Sequence, residues 1–265
     1  MTVARRGPRP PPVAARDPRP HQRTLLRICG LAAVSALFER DPSRVERLFF
    51  EPRLRAETAG FCAALAHARK PFREVAAAEM TRVAGTTSHG GVAAIARPRP
   101  LAAFDPAAAA GWARDGKPIL VLGGVGNPHN LGAIARTAAF FGVERIVLAD
   151  RLEQAFPSDA SYRVAEGGLE HVTLYRTPVV PAVLDELRRG YRIVGSALGR
   201  GEPPARHVGG KPPALLLGNE EKGLDPGTLA VCDEIVTIPG SGRVQSLNVA
   251  AAAAVLLQLL TTGQA

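Results

Sequence analysis

The sequence has few cysteines and no long hydrophobic run. Its three cysteines (Cys29, Cys62 and Cys232) are far apart, and none belongs to a Cys-x-x-Cys pair or lies near a histidine cluster. This spacing argues against a metal site or a disulfide framework and is typical of a reducing cytosol. The best apolar candidate, residues 249–260, is short and interrupted by Gln258. We therefore expect a cytoplasmic protein without a membrane span or a secretory signal.

Lysine is scarce as well, with four lysines against 29 arginines, although the formal net charge is +9. A basic chain favours a polyanionic partner, most often a nucleic acid. Residues 1–23 contain six arginines and one aspartate, so five of the nine net charges fall there. We predict that residues 1–21 form a disordered basic tail rich in proline. The alternative is that this composition is a by-product of a GC-rich genome.

Several common catalytic motifs are absent. The glycine-rich stretch 123–130 lacks the last glycine of G-x-G-x-x-G, no Gly-Lys-Ser/Thr follows it, and the chain contains no Gly-x-Ser-x-Gly. An ordinary dehydrogenase, P-loop NTPase or α/β hydrolase is therefore disfavoured.

An apolar run before the glycines predicts a buried strand at 119–122, and a helical period predicts a helix at 131–141. Asn130 is the predicted N-cap, with Pro128 expected to prevent an earlier start.

Residues 22–97 have the pattern of a small α/β domain. The predicted elements are helix 22–38, strand 45–50, helix 53–68 and strand 91–96. This half shows no catalytic constellation, and we interpret His89, which precedes two glycines, as turn structure rather than an RNA contact. Residues 98–116 are rich in Pro, Ala and Gly and are predicted to be a linker.

From residue 117 to the end at 265, predicted strands and helices alternate. The predicted strands are 119–122, 145–149, 172–175, 192–197, 214–217 and 234–238, and the helices are 131–141, 158–169, 179–189 and 246–261. Alternation of this kind favours a mostly parallel sheet with helices on both faces. Ligands bind at the carboxyl ends of the strands in such sheets, where loops 123–130, 218–223 and 239–248 are expected. These loops have amide and small side chains, which suits a neutral or zwitterionic cofactor better than a metal.

Arg136 lies on the predicted helix 131–141. At roughly 100° per residue it is about 200° round from Ile134, so it points away from the apolar stripe of that helix. Phe140 lies on the same far side and is apolar. Apolar groups on both sides of an arginine suggest that the helix has a second partner. The alternative is an ordinary solvated surface charge.

Three segments resemble motifs 1, 2 and 3 of the SpoU/TrmH RNA ribose methyltransferases, in order and in spacing. They are Asn127-Pro-His-Asn130-Leu-Gly-Ala-Ile-Ala-Arg136, Leu215-Leu-Leu-Gly218-Asn219-Glu220-Glu-Lys-Gly-Leu and Ile238-Pro-Gly-Ser-Gly-Arg-Val-Gln-Ser246-Leu247-Asn248-Val. The stretch that contains Thr86-Thr-Ser-His89 resembles the end of the family's ribosomal-protein-like substrate-binding domain. The segments 140–143 and 165–171 look most like the YfiF branch.

The resemblance implies an α/β fold in which a C-terminal, mostly parallel sheet with a SPOUT-type trefoil knot follows the small ribosomal-protein-like domain. It implies S-adenosyl-L-methionine as methyl donor and a ribose 2′-hydroxyl of RNA as acceptor, with rRNA favoured over tRNA. It also implies a homodimer through the catalytic domain. Helix 246–261 is apolar nearly all round, which agrees with burial on two sides.

The family positions imply roles for ten residues. The catalytic group is Arg136, Asn130, Glu220, Ser246 and Asn248, and the cofactor-binding group is Ser196, Gly218, Asn219, Ile238 and Leu247. Arg136 would orient the 2′-hydroxyl across a dimer interface, and Glu220 would pair with Arg136 or orient the ribose. The motif 1 loop or Arg136 would be held by Asn130. Gly218 would allow close approach of the ligand.

Other interpretations remain open. Asn130 and Asn248 are also ordinary helix N-caps, and Glu220 is also explained as a surface charge. The chain departs from the family at Gly240, where methionine is frequent, and at Ala250, where serine is frequent. These departures leave a second hypothesis, an RNA-binding protein with a methyltransferase fold and no turnover.

Overall fold

Two sheets organise the chain in the computed structural model, which describes residues 25–205 and 210–261. The predicted tail 1–21 and the first residues of the predicted helix 22–38 lie outside the described residues. Residues 26–96 form a four-stranded sheet with three helices. Its elements are β1 Leu26–Cys29, α1 Leu31–Arg40, β2 Val45–Phe50, α2 Arg55–His67, β3 Phe72–Glu74, α3 Ala77–Ala84 and β4 Val92–Ala96.

The strand order in this first sheet is β1-β4-β2-β3, and the prediction of one helix over 22–38 was wrong. Leu26–Cys29 pairs antiparallel with β4, and Gly30, at φ 93°, separates this strand from α1. Leu26 and Ile28 are buried on one side of the sheet. Over so short a run, apolar residues spaced two and three apart fit both the period of a strand and the period of a helix. The pattern therefore did not distinguish a strand from the start of the helix. The short elements β3 and α3 were not predicted.

The second sheet has seven strands, all parallel, in the order β11-β9-β10-β6-β7-β8-β5. Its strands are β5 Ala102–Ala103, β6 Ile119–Gly123, β7 Arg145–Ala149, β8 Thr173–Thr177, β9 Arg192–Ser196, β10 Pro213–Gly218 and β11 Glu234–Val236. Its helices are α4 Pro106–Trp112, α5 Pro128–Phe140, α6 Asp159–Ala165, α7 Gly168–His171, α8 Val180–Leu187, α9 Pro226–Ala230 and α10 Val249–Thr261. The predicted parallel α/β architecture is confirmed, and the trefoil knot stays a prediction.

Three details differ from the sequence prediction. Residues 158–169 form two helices, α6 and α7, because Glu166 and Gly167 are left-handed and end the first one. The predicted linker 98–116 contributes β5 to the edge of the large sheet and contains α4. Helix α9 was not predicted.

The apolar run of β6 is buried on both faces, as the sequence predicted. Leu120 and Leu122 face a core shared with α5, α10 and the first domain. Ile119 and Val121 face a second core beneath α4 and α8. The central strands therefore hold the loops at their carboxyl ends on a rigid base. Among the described residues, no helix has both the length and the apolar character needed to cross a bilayer.

A buried ionic cluster joins the two domains. Arg44, which precedes β2, donates through Nη1 to both carboxylate oxygens of Glu170 on α7, at 2.9 and 2.7 Å, and through Nη2 to Tyr162 on α6. Arg99 adds a contact of 2.8 Å to the same carboxylate. The Glu170 side chain is fully inaccessible to solvent. Because such a charge is costly without partners, the cluster fixes α7 against the first domain.

Candidate active site

The three predicted loops lie at the carboxyl ends of β6, β10 and β11, which belong to a run of four adjacent strands in the order β11-β9-β10-β6. Loop 123–130 follows β6, loop 218–223 follows β10 and loop 239–248 follows β11. Since β6 and β10 are neighbours in register at Gly123 and Gly218, the first two loops leave the sheet side by side. This edge of a parallel sheet is where ligands bind.

The first loop turns directly into helix α5, one turn earlier than predicted. Asn127 is the N-cap, and its side chain accepts from the backbone N–H of His129 at 2.8 Å. Pro128 is the first helical residue, a position that proline favours because its missing N–H has no helical partner there. The prediction that Asn130 caps this helix and that Pro128 prevents an earlier start was wrong. Asn130 instead lies inside the first turn, with its side chain free to reach the neighbouring loops.

The second loop is closed on itself and tied to the first. Asn219 and Gly223 exchange backbone hydrogen bonds at 3.0 and 2.9 Å. The Asn219 side chain accepts from two loop N–H groups and donates to the carbonyl of Gly124 at 2.9 Å. A Cβ on Gly218 would lie 2.2 Å from the backbone of Gly223. Glycine is therefore needed at 218 for the loop to fold back, and the close approach of a ligand to Gly218 stays a prediction.

Glu220 lies at the centre of the site. Its carboxylate accepts from the backbone N–H of Gly126 at 3.0 Å, from that of Asn127 at 3.2 Å and from the Asn130 amide at 2.8 Å. Partial burial opposes ionisation, but these hydrogen bonds outweigh it and lower the pKa of Glu220 below its ordinary value. Glu220 is therefore an ionised clamp between the first two loops and is more than a surface charge.

Asn130 and Asn248 link the third loop to this clamp. The Asn248 amide nitrogen donates to Asn130 Oδ1 at 3.0 Å, and Asn248 Oδ1 accepts from the backbone N–H of Ala250 at 2.9 Å. Asn248 therefore caps α10 and also reaches the site, as the sequence suggested. The chain Glu220–Asn130–Asn248 joins motifs 2, 1 and 3 by direct hydrogen bonds.

The remaining predicted residues surround this chain of contacts. Ser196, at the end of β9, donates to the carbonyl of Leu216 at 2.9 Å. Ile238 is half-buried against the core. Ser246 and Leu247 are exposed in the third loop, and Leu247 keeps 49% of its surface accessible. The structure thus offers apolar surface and backbone groups at this rim.

Arg136 does not face these loops within its own chain. It lies six residues after Asn130 on α5, about 9 Å along the axis at 1.5 Å per residue. Its Nη1 forms an ion pair of 3.0 Å with Glu166 rather than with Glu220. Arg136 and Phe140 are among the residues that line an open groove of about 440 Å³ between α1 and the helices α5 and α7. Phe140 is 83% exposed.

Two residues of this region escaped the sequence analysis. Gln154 is buried and accepts from the N–H of Gly124 while donating to the carbonyl of Val125, so it shapes the first loop. Gln154 follows the predicted strand 145–149, so its position at the carboxyl edge of the sheet could have been predicted from the sequence. Glu166 lies in the segment 165–171 that carries part of the family resemblance, but its pairing with Arg136 could not be predicted, because the contact depends on the left-handed turn after α6.

Comparison with known sequences and structures agrees with this geometry. The SpoU rRNA methylase family matches residues 117–258, and an RNA 2′-O ribose methyltransferase substrate-binding domain matches residues 27–102. The uncharacterized tRNA/rRNA methyltransferase YfiF of Escherichia coli O157:H7 is 35% identical over 241 residues, which cover 87% of this chain and 66% of that protein. The chain therefore spans slightly less than two thirds of that relative's length.

A second relative is covered almost completely. The 23S rRNA (guanosine-2′-O-)-methyltransferase of Acinetobacter baylyi is 30% identical, over 86% of this chain and 93% of its own. The crystal structure of an AdoMet-bound rRNA methyltransferase from Sinorhizobium meliloti has the same fold, with a TM-score of 0.68 at 24% identity, over 88% of this chain and 85% of that one. The family match over more than half of the chain, the relatives and the three hydrogen-bonded motifs agree, and the chain belongs to the SpoU rRNA methylase family.

Proposed function

We propose that this protein transfers a methyl group from S-adenosyl-L-methionine to a ribose 2′-hydroxyl of RNA. The observation that supports this most directly is the hydrogen-bonded chain Glu220–Asn130–Asn248, which gathers the three family motifs at the carboxyl rim of the sheet. Although Glu220 is exposed, its carboxylate is held by two backbone N–H groups and the Asn130 amide at once.

The residues at the rim fit the methyl donor. Its sulfonium supplies the leaving group for methyl transfer, so the protein must bind the donor and position the acceptor. Leu247 and Ile238 supply apolar surface for adenine beside the backbone of the third loop, and Ser196 and Asn219 stabilise the neighbouring strand and loop ends. Among the described ranges, no group of three or more acidic, histidine or cysteine residues could hold a metal ion.

Arg136 acts on the acceptor in this proposal. Arginine side chains are poor general bases, so Arg136 donates hydrogen bonds to the ribose 2′-hydroxyl and the adjacent phosphate. The hydroxyl proton leaves late, to the phosphate that Arg136 orients or to water. Ser246, exposed in the third loop, closes over the donor.

The site is completed by a second copy of the chain. Within one chain Arg136 turns away from the three loops and towards the groove beside α1. The exposed side of α5, which includes Phe140, and the exposed Val255 of α10 provide apolar surface for a partner. We therefore propose a homodimer through the catalytic domain, in which Arg136 of one protomer serves the site of the other.

The domain division supports an RNA substrate. We assign residues 22–97 to RNA binding and 117–265 to catalysis, joined by 98–116, with the basic residues 1–21 adding salt-sensitive affinity for phosphates. The separate first domain and the rRNA-modifying relatives favour rRNA over tRNA. We also propose a cytoplasmic location, which is where a bacterial rRNA substrate would be found.

The test is transfer of a labelled methyl group from the donor to total rRNA and, separately, to tRNA. Arg136→Ala is expected to abolish transfer while leaving donor affinity unchanged. Arg189→Ala is the matched control, because Arg189 forms an exposed ion pair of 3.0 Å with Glu186 near the end of α8. Donor and RNA binding without any transfer would favour an RNA-binding protein that keeps the fold without turnover.

A further inference from the structure

The segment 165–171, which runs from the last residue of α6 to the end of α7, sets the position of Arg136 from two directions. A Cβ on Gly168 would lie 2.6 Å from the Arg136 Cα, so α7 begins in direct contact with the backbone of α5 at that residue. The carboxylate of Glu166, two residues earlier, lies 3.0 Å from the Arg136 guanidinium. One short turn therefore holds both the backbone and the charged end of Arg136.

Glu166 makes this contact from an unfavourable backbone conformation. Its φ of 44° is left-handed, and in the described ranges only Arg69 shares a positive φ among non-glycine residues. Glycine adopts this conformation at no steric cost, and it is the usual residue at such a helix end. A glutamate here gains a contact to Arg136 that glycine would lack.

The ion pair is too exposed to matter for stability. Both side chains are 55% accessible, and exposed pairs of this kind contribute little to folding. The pair does restrict the guanidinium to one side of the groove. Because arginine has five N–H donors, a single carboxylate at Nη1 leaves donors free for a ribose and a phosphate.

The same turn contacts the first domain. A Cβ on Gly167 would lie 3.0 Å from the Ala36 side chain on α1, and Glu170 at the other end of the segment binds the buried Arg44. Glu166 therefore extends from a backbone that is fixed on both sides. It is a rigid support for the guanidinium.

We propose that Glu166 is a positioning residue for Arg136. It orients the guanidinium before RNA binds, and the RNA phosphate then shares the guanidinium with it. This inference rests on the proposed catalytic role of Arg136. It concerns a residue that lies outside the three motifs and touches neither the donor loops nor the predicted acceptor contacts.

The test compares Glu166→Gly and Glu166→Gln with wild type in the RNA methyl-transfer assay. Glu166→Gly relieves the backbone and removes the carboxylate, so we expect an unchanged or higher melting temperature and about a tenfold lower kcat. The KM for RNA and the donor affinity stay the same. Glu166→Gln keeps an oxygen that accepts from the guanidinium, so its kcat falls in between. Glu186→Gln is the matched control, because it removes a carboxylate from another arginine ion pair of 3.0 Å, with Arg189, and is expected to leave kcat unchanged.

Two results would overturn the positioning role of Glu166 without affecting the proposed function. The first is a kcat of Glu166→Gly within about twofold of wild type while Arg136→Ala is inactive. The second is a loss of kcat that accompanies a lower melting temperature in both Glu166 variants. If Arg136→Ala keeps wild-type turnover, the proposed role of Arg136 fails and the positioning role fails with it. An intermediate Glu166→Gln with intact folding supports the proposal.

Discussion

The amide nitrogen of Asn130 donates to Glu220 Oε1 at 2.8 Å, across 90 residues of sequence. Asn130 receives a hydrogen bond from Asn248 through its other amide atom. One asparagine therefore links the loops that follow three different strands. The site depends on this central position, because these two hydrogen bonds join the third loop to the first two.

Removal of the Glu220 charge should loosen the donor site. The Gln side chain of Glu220→Gln has one acceptor oxygen instead of two, so it cannot accept from all three N–H groups around it. Each hydrogen bond to a charged group is worth about 1.5–3 kcal/mol. We expect the dissociation constant for S-adenosyl-L-methionine, measured by calorimetry, to rise about tenfold or more. Glu221→Gln, at the exposed neighbouring position, is the control and should bind as wild type. Equal affinity of Glu220→Gln and wild type would remove Glu220 from the site.

The same carboxylate predicts a pH dependence. Because hydrogen bonds lower the pKa of Glu220 in the folded state below its ordinary value of 4.5, ionised Glu220 stabilises the fold above that value. This contribution is lost as the pH falls through the lowered folded pKa. The melting temperature of wild type should exceed that of Glu220→Gln by a constant amount above pH 5, and the gap should close at lower pH. A gap that widens on acidification would contradict the assigned shift.

The close contact of α5 with α6 predicts opposite effects for two glycine substitutions. A Cβ on Gly132 would lie 2.4 Å from the backbone carbonyl of Ser161, so Gly132→Ala must move a helix. We expect a loss of about 1–3 kcal/mol in the free energy of unfolding, measured with urea. Gly60→Ala on α2 meets nothing within 4 Å and should stabilise by about 0.4–1 kcal/mol. If both variants lose stability to the same extent, the helix contact is not as close as described.

The buried cluster between the domains predicts strong non-additivity. Glu170→Leu leaves Arg44 buried without its carboxylate and should cost about 3–5 kcal/mol of unfolding free energy. The double variant Arg44→Met/Glu170→Leu replaces both charges with apolar groups and should recover most of this loss. Denaturant titrations of the two singles and the double measure the coupling. Additive losses would show that the two side chains do not depend on each other.

The regular part of the fold was predictable because its residues have periodic patterns. The apolar run 119–122 is buried on both faces, and all six predicted strands of the large sheet occur. The errors in the predicted secondary structure arose where the same residues fit two different elements or two different helix starts. Residues 26–29 satisfy a strand as well as a helix, and Asn127 and Asn130 are both good caps. Pro128 was the signal that favours Asn127, since proline is preferred at the first helical position.

The sequence predicted which loops come together at the candidate site, but it predicted only part of the contacts among their residues. The motifs identified Glu220, Asn130 and Asn248, and the parallel order of the strands explains why they meet. The partner of Arg136 was not predictable, because Glu166 reaches it only through a left-handed turn whose geometry depends on packing against α1 and α5. Local sequence does not encode contacts that two domains create together.

The central claim is that the three joined loops bind the methyl donor while Arg136 acts on the RNA. The most direct measurement follows donor binding and methyl transfer to rRNA in the same preparations of wild type, Arg136→Ala and Asn130→Ala. We predict that Arg136→Ala binds the donor as wild type does and transfers no methyl group, and that Asn130→Ala binds it at least several-fold more weakly. Wild-type transfer by Arg136→Ala, or undiminished donor binding by Asn130→Ala, would contradict the account.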